Sequence, residues 1–281
     1  MPERPGYQTI PITGNLTVCR NSIRISPVSV HTLLQRHPFP VVARFERVVA
    51  VSFAFPEEVL RPLMPEGLEI DTHEGLGFVT VALVWTRNLR PAGFPAMLGR
   101  DFFLAGYRVF ARLRDGSGRT LRGLCILRSE TDRRRMVWLG NLMTRYRYRR
   151  VLVRIRESKR EVRVETTVPK GSKTLDLTFQ IPEGTAALPD GSPFRDWKAA
   201  RRFAGPMPFT FSPNGNGTFV IVEGSRQNWV PHPLVVKSWA VGLFDEVPLR
   251  ETPPILANAF LVEGVSYRWE KGRVVRPGGM S

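Results

Sequence analysis

The chain has 281 residues, 42% of them hydrophobic, with a formal net charge of +16 and an isoelectric point of about 11.0. That apolar fraction supports a packed core and excludes a disordered chain, and the length fits one large all-β domain or two ordinary ones. The charge is diffuse arginine, with lysine only at 159, 170, 173, 198, 237 and 271, so it carries no polyanion-binding tail or helix, and nucleic-acid binding is not the expected function.

Residues 1–38 are weakly patterned and read as an N-terminal arm, with a short helix over 28–36 ended by Pro38 and Pro40. Residues 39–281 read as a single domain. Val41 to Phe55 predicts a long strand, and Pro56 opens a short helix, PEEVLRPL, with acids in its first turn. Strands at 68–71 and 77–87 flank the turn THEGLG. The second, FVTVALVWTR, is nearly continuous in apolar residues, as in a strand covered on both faces. Residues 88–102 are broken by Pro and Gly and read as a loop, and a hairpin joins 104–114 to 119–128 across Asp-Gly-Ser-Gly.

The stretch from Leu121 to Arg156 has the densest charge in the chain. Ser129 to Asp132 gives a helix-start pattern, followed by Met136, Leu139, Gly140 and Met143 at helical spacing. From Arg145 the period drops to two, with Arg145, Arg147 and Arg149 on one face and Tyr146 and Tyr148 on the other. After Arg149 the phase reverses, which predicts a strand entering the core or carrying a bulge. A hairpin over 150–156 and 160–168, a half-buried strand over 174–181, and a helix from Ser192 to Gly205 follow. Further strands centre on 209–211, 218–223, 234–240 and 256–269. About a dozen hairpin-linked strands and three short helices predict a mainly β, α+β chain, with one continuous antiparallel sheet curled into a barrel or cone.

The four histidines, His31, His37, His73 and His232, have no second His or Cys at ligand spacing, so no metal is expected. His232, pinned between Pro231 and Pro233, reads equally as a loop histidine and as a pocket residue. Cys19 and Cys125 are far apart, and Cys125 sits in an apolar strand as a buried thiol. With no apolar leader in MPERPGYQTI and no run of membrane-span length, a cytoplasmic protein is expected. There is no GxSxG elbow, phosphate-binding glycine loop or dinucleotide fingerprint, so no cofactor is expected. What remains is a pocket of Arg, Tyr and a few acids. Arg108 and Arg128 interrupt apolar strands, and Arg145 and Arg147 share a face. A buried guanidinium needs an anion, and both sources stay open: a salt bridge to Glu130 or Glu223, or a bound carboxylate.

The chain resembles the acetoacetate decarboxylase-like superfamily, and within it the YqjF-like bacterial branch. The resemblance runs from about Phe39 to Trp269 and is carried by LRPLMPEGLEID at 60–71, FVTVALV at 78–84, DFFLAGYRVF at 101–110, LRGLCILRSETD at 121–132 and HPL at 232–234. It implies a conical antiparallel barrel with a central cavity, in a homo-oligomer. The decarboxylases use a Schiff-base lysine in a Gly-Phe-Pro-Lys-Lys motif. The equivalent stretch here, GNLMTRYRY at 140–148, has no lysine, and arginine cannot replace it because it does not give up its proton. The family's acidic residue, in an Asn-Glu pair, falls near Tyr107 and Arg108, so the resemblance carries over the fold but not the reaction.

The expected protein has a cavity that binds, and in a catalytic version acts on, a small anionic carboxylate or enol-type metabolite without a Schiff base. Arg108, Arg128, Arg145, Arg147, Tyr107 and His232 are the candidate ligand contacts, and Glu130, Asp132 and Tyr146 the candidate acids or bases. The alternative is a non-enzymatic basic protein that binds nucleic acid or an anionic surface. Inward-pointing arginines favour the first reading and a contiguous outer patch the second.

Overall fold

Valine- and phenylalanine-rich runs become long strands because β-branched and aromatic side chains pack well on a pleated surface. The computed structural model describes residues 30–184, 186–205 and 207–278. Cys19 and most of the expected arm lie outside the described residues. The first described element is helix α1 (Val30–Leu34). Strand β1 (Val41–Pro56) leads into helix α2 (Glu57–Leu60), then β2 (Glu69–Ile70), β3 (Leu76–Pro91), β4 (Arg100–Arg114) and β5 (Thr120–Thr131). Helix α3 (Arg134–Met143) precedes β6 (Tyr148–Arg150), β7 (Leu152–Glu157), β8 (Glu161–Thr167) and β9 (Lys173–Gln180). After helix α4 (Trp197–Phe203) come β10 (Phe209–Gly215), β11 (Thr218–Gln227), β12 (His232–Pro233), β13 (Val235–Val241), β14 (Ile255–Trp269) and β15 (Arg273–Val275).

The strands form two sheets where the sequence predicted one. The larger has 11 strands, in the order β12-β14-β1-β3-β4-β5-β10-β11-β15, with β2 on β4 and β6 on β5. β11 also pairs with β14, from Gly224 opposite Trp269 to Gln227 opposite Ser266, so the path of paired strands returns on itself. Pairing is antiparallel except where β10 and β6 join β5 in parallel. The second sheet has 4 strands, β13-β9-β8-β7. The chain changes sheets at Val151, which is buried and donates its N–H to the Thr131 carbonyl at 2.9 Å. The phase reversal in the sequence marks this crossing.

The large sheet has two buried faces. Val49, Val51, Phe53, Val79, Val81 and Leu83 pack toward Val162, Val164, Leu175, Leu177 and Phe179 of the second sheet. The opposite face carries Ala43, Phe45, Val48, Ala50, Ala82 and Val84. Burial on both faces accounts for the nearly unbroken apolar runs of β1 and β3.

Helix α3 does not start at the Ser129 pattern. β5 continues to Thr131, Arg133 is the N-cap without a side-chain bond, and Asp132 instead accepts the Phe103 N–H at 2.9 Å. Strand pairing to β4 outcompetes the local helix signal. α4 likewise begins at Trp197 rather than Ser192, capped by Asp196, which accepts the Ala199 N–H at 2.7 Å. The expected loop over 88–102 is shorter, spanning 92–99, because β3 and β4 extend into it from both sides and stay paired as far as Leu89 and Arg100. Among the described residues, no helix is long and apolar enough to cross a membrane.

Candidate functional site

One row of residues crosses the inner face of the large sheet. Asn258 on β14 lies opposite Ser52 on β1, Ser52 opposite Thr80 on β3, and Thr80 opposite Arg108 on β4. Each is a lone polar residue in an otherwise apolar run, and cross-strand neighbours stand about 5 Å apart. The register therefore gathers four isolated polar positions into one track. Ser52 and Thr80 hydrogen-bond each other at 2.9 Å. Asn258 is buried, and neither of its side-chain polar atoms has a partner among the described residues.

Ser52, Thr80 and Arg108 of this track border a cavity of about 130 Å³. Arg108 enters it from β4, folded back across Gly106, where an added Cβ would stand 2.9 Å from Nε. Tyr146 and Tyr148 enter from the segment after α3, and Gly140 is what admits the Tyr148 ring, since a Cβ there would overlap it. Tyr267 and Arg226 enter from β14 and β11, where they are cross-strand partners at the closing pairing. Thr210 and Ser129 add hydroxyls, and Phe45, Trp229 and Trp269 supply aromatic wall.

The electrostatics are one-sided. Arg108 and Arg226 are the charged residues of the lining, which includes no carboxylate. Arg108 is half-buried, its shielded Nε has no hydrogen-bond partner among the described residues, and burial lowers its pKa; the nearest compensation comes from the phenols of Tyr267, Tyr148 and Tyr146. Burial raises all three phenols: Tyr148 is pushed up to about 12, and Tyr146 and Tyr267 also lie above the ordinary value. They stay protonated in neutral solution and act as donors. The Tyr146 hydroxyl faces Thr210 without a hydrogen bond of normal geometry. The guanidinium of Arg108 therefore sits among donors, with no acid in the lining to balance its charge.

Of the residues singled out in the sequence, Arg108 and Tyr146 line this cavity and the others do not. Arg145 and Arg147 sit on the opposite side from Tyr146 and Tyr148, so the tyrosine face, not the arginine face, turns inward. Arg147 is exposed, with φ of 53°, and Arg145 is half-buried near Arg36, its pKa lowered by burial and by that neighbour. Phenols are cheaper to desolvate than guanidiniums, which favours this orientation. A bulge at Leu127 sets Arg128 opposite Tyr107, on the face away from the cavity, where it is half-buried and pairs with Glu246 at 2.7 Å. His232 is exposed on β12, and Asp132 is tied to the Phe103 backbone and to Arg133 at 3.2 Å.

Tyr107 and Glu130 lie on the other buried face. Glu130 is fully buried and accepts hydrogen bonds from Tyr107 Oη at 3.1 Å, Arg149 Nε at 2.9 Å and Thr174 Oγ1 at 2.9 Å, with Thr166 Oγ1 at 3.3 Å. This cluster bridges the two sheets. Cys125 is also buried there, its thiol pushed up to about 11 by burial. All six lysines are exposed. No group of three or more metal-ligating side chains occurs among the described residues.

Tyr148, Arg226, Tyr267 and the polar track were missed in the sequence. The available signal was a single polar residue inside each apolar strand, at Ser52, Thr80 and Asn258.

The sequence model of the family DUF2071, described as "Uncharacterized conserved protein (COG2071)", matches residues 42–264. No curated protein sequence matches the chain significantly. Among solved structures, acetoacetate decarboxylase from Legionella pneumophila is similar with a TM-score of 0.57 and 10% identity, over 85% of this chain and 88% of that one. The enduracididine biosynthesis enzyme MppR complexed with pyruvate gives 0.54 and 12%, over 84% and 90%. An acetoacetate decarboxylase-like enzyme from Sphingomonas wittichii gives 0.52 and 12%, over 87% and 93%. At these identities the likeness establishes the fold: mainly β, with a few short helices, of the acetoacetate decarboxylase type.

Proposed function

The chain belongs to the DUF2071 family, and from that premise we propose that it binds a small carboxylate or enol-type metabolite in the cavity, with Arg108 as the anion clamp. The observation that carries this reading is a half-buried Arg108 with no acid beside it. Tyr146 and Tyr148 donate hydrogen bonds to the same anion. The absence of lysine from the cavity supports chemistry without an imine. In a catalytic version Arg108 holds a developing enolate and Tyr146 supplies the proton. The neighbour solved with pyruvate supports a small oxo acid as the ligand class.

The returning path of strand pairings supports a conical barrel around this cavity. Exposed Phe94, Met97 and Leu98, between β3 and β4, support a subunit contact in a homo-oligomer. A cytoplasmic location belongs to the same proposal. A polyanion-binding role has less support, since Arg47, Arg87, Arg112, Arg122, Arg128 and Arg163 are each paired with a carboxylate of the chain.

Native mass spectrometry of the purified protein is expected to reveal a co-purifying small acid. Carboxylates should raise the thermal midpoint of the wild type. Arg108→Met should weaken that binding by roughly 1.5–3 kcal/mol, the worth of a charge-assisted hydrogen bond. It should fold at least as stably, because an uncompensated buried charge is removed. A collapsed midpoint in Arg108→Met, with no carboxylate response in the wild type, would defeat the reading.

A further inference from the structure

The proposed ligand site contains a second cation that a single carboxylate leaves unanswered. Arg226 is half-buried, lines the same cavity, and makes no ion pair with a carboxylate among the described residues. Its guanidinium carbon lies 5.3 Å from the Trp229 ring centre and 5.7 Å from that of Tyr267. Those aromatic contacts fix its position without neutralising it.

Tyr267 stands between the two arginines. Its ring takes the Arg226 guanidinium, and its hydroxyl runs over Gly224, where a Cβ would overlap it. Both Arg108 and Arg226 act on the Tyr267 phenol, opposing the effect of its burial. Arg108 on β4 and Arg226 on β11 are set apart in the sheet by β5 and β10. The cavity therefore presents two separated positive groups, spaced by a phenol and flanked by aromatic walls, with no acid in its lining.

Building on the Arg108 reading, we infer that the ligand is a dianion with its two negative groups at opposite ends of a short chain, an α,ω-dicarboxylate or its oxo derivative, one end on Arg108 and the other on Arg226. A compact dianion such as phosphate offers its charges at one point and fits this spacing poorly. A monocarboxylate leaves Arg226 desolvated and unpaired, which costs affinity.

The test measures dissociation constants by calorimetry for the dicarboxylates from malonate to adipate and for monocarboxylates of matching chain length, with inorganic phosphate as the compact control. The proteins are the wild type, Arg226→Met, Arg226→Lys and Arg108→Met. The wild type is expected to bind one dicarboxylate of intermediate length roughly 10- to 100-fold more tightly than its monocarboxylate counterpart. Arg226→Met should erase that preference by weakening the dicarboxylate, and should bind the monocarboxylate at least as tightly as the wild type because the unpaired cation is gone; Arg226→Lys should recover part of the preference. Arg108→Met should weaken both ligands. If monocarboxylates bind as tightly as dicarboxylates and Arg226→Met changes neither, the dianion inference fails and the Arg108 reading stands. If no carboxylate in the series binds the wild type, both fail. If phosphate matches the best dicarboxylate, the separated-charge assignment is overturned.

Discussion

The two buried faces of the large sheet hold the same kinds of residue in opposite electrostatic conditions. On the face toward the second sheet, Arg149 meets fully buried Glu130, and Tyr107, Thr166 and Thr174 satisfy the remaining carboxylate lone pairs. On the face toward the cavity, Arg108 meets only phenols and hydroxyls. Tyr107 and Arg108 are neighbours in one strand, so a single peptide bond separates the satisfied cluster from the unsatisfied one. The difference teaches how to read a buried arginine. A complete set of partners marks a device that fixes the position of two sheets. A missing counter-ion leaves the charge uncompensated, and it is on this that the proposed anion site at Arg108 rests.

The largest test of this contrast removes the satisfied centre. Glu130→Ala leaves Arg149, Tyr107, Thr166 and Thr174 without their common acceptor and is expected to cost roughly 3–5 kcal/mol in stability. Denaturant unfolding measures it. A loss below about 1 kcal/mol would erase the distinction between the faces. Carboxylate affinity of the protein that still folds should be unchanged.

A smaller effect comes from alkaline pH. Burial pushes Tyr148 up to about 12, whereas in the unfolded chain it titrates near 10. Below about pH 10 both states keep the proton, and its contribution to stability is complete. From about pH 10 to about pH 12 the unfolded state ionises while the folded one does not, so stability falls as pH rises, by roughly 2–3 kcal/mol. The phenolate absorbance band should therefore appear together with unfolding. If the buried tyrosines titrate at their ordinary pH in a folded protein, the cavity is open to water and Arg108 is solvated after all.

The smallest effect sharpens the boundary of the site. Arg145 is half-buried without a hydrogen bond to its Nε and has Arg36 as a like-charged neighbour. Arg145→Met is expected to change stability by less than about 0.5 kcal/mol, or to raise it slightly, and to leave carboxylate binding unaltered. An affinity loss in this variant comparable to that of Arg108→Met would move the anion site to the arginine face of the segment.

Much of the fold was legible in the chain. Strands β1, β3, β8, β9 and β14 follow directly from apolar runs and period-two alternation, and Pro56 with its following acids marks α2. The phase reversal after Arg149 located the crossing between sheets but not its nature. The site was half legible. Arg108 stood out as a charge within an apolar strand, and Tyr146 as an aromatic beside the arginines. Glu130 also stood out, both as a candidate acid or base and as a salt-bridge partner for a buried arginine; the structure shows the second, with Arg149.

The period-two strand expected from Arg145 is strand only over Tyr148–Arg150, with Arg147 at φ of 53°, yet the sequence spacing did separate Arg145 and Arg147 from Tyr146 and Tyr148. It does not determine which face points inward. That was decided by packing, because the interior already holding Arg108 accepts phenols at lower cost than two more guanidiniums. Register was likewise invisible from within any one strand. One extra residue at Leu127 puts Arg128 opposite Tyr107, on the face toward the second sheet, while Arg108 faces the cavity opposite Ile126. The sequence therefore determined the strands and the isolated polar residues within them. Only tertiary pairing decided that Asn258, Ser52, Thr80 and Arg108 form one row, because cross-strand neighbours are set by hydrogen bonds between segments far apart in the chain.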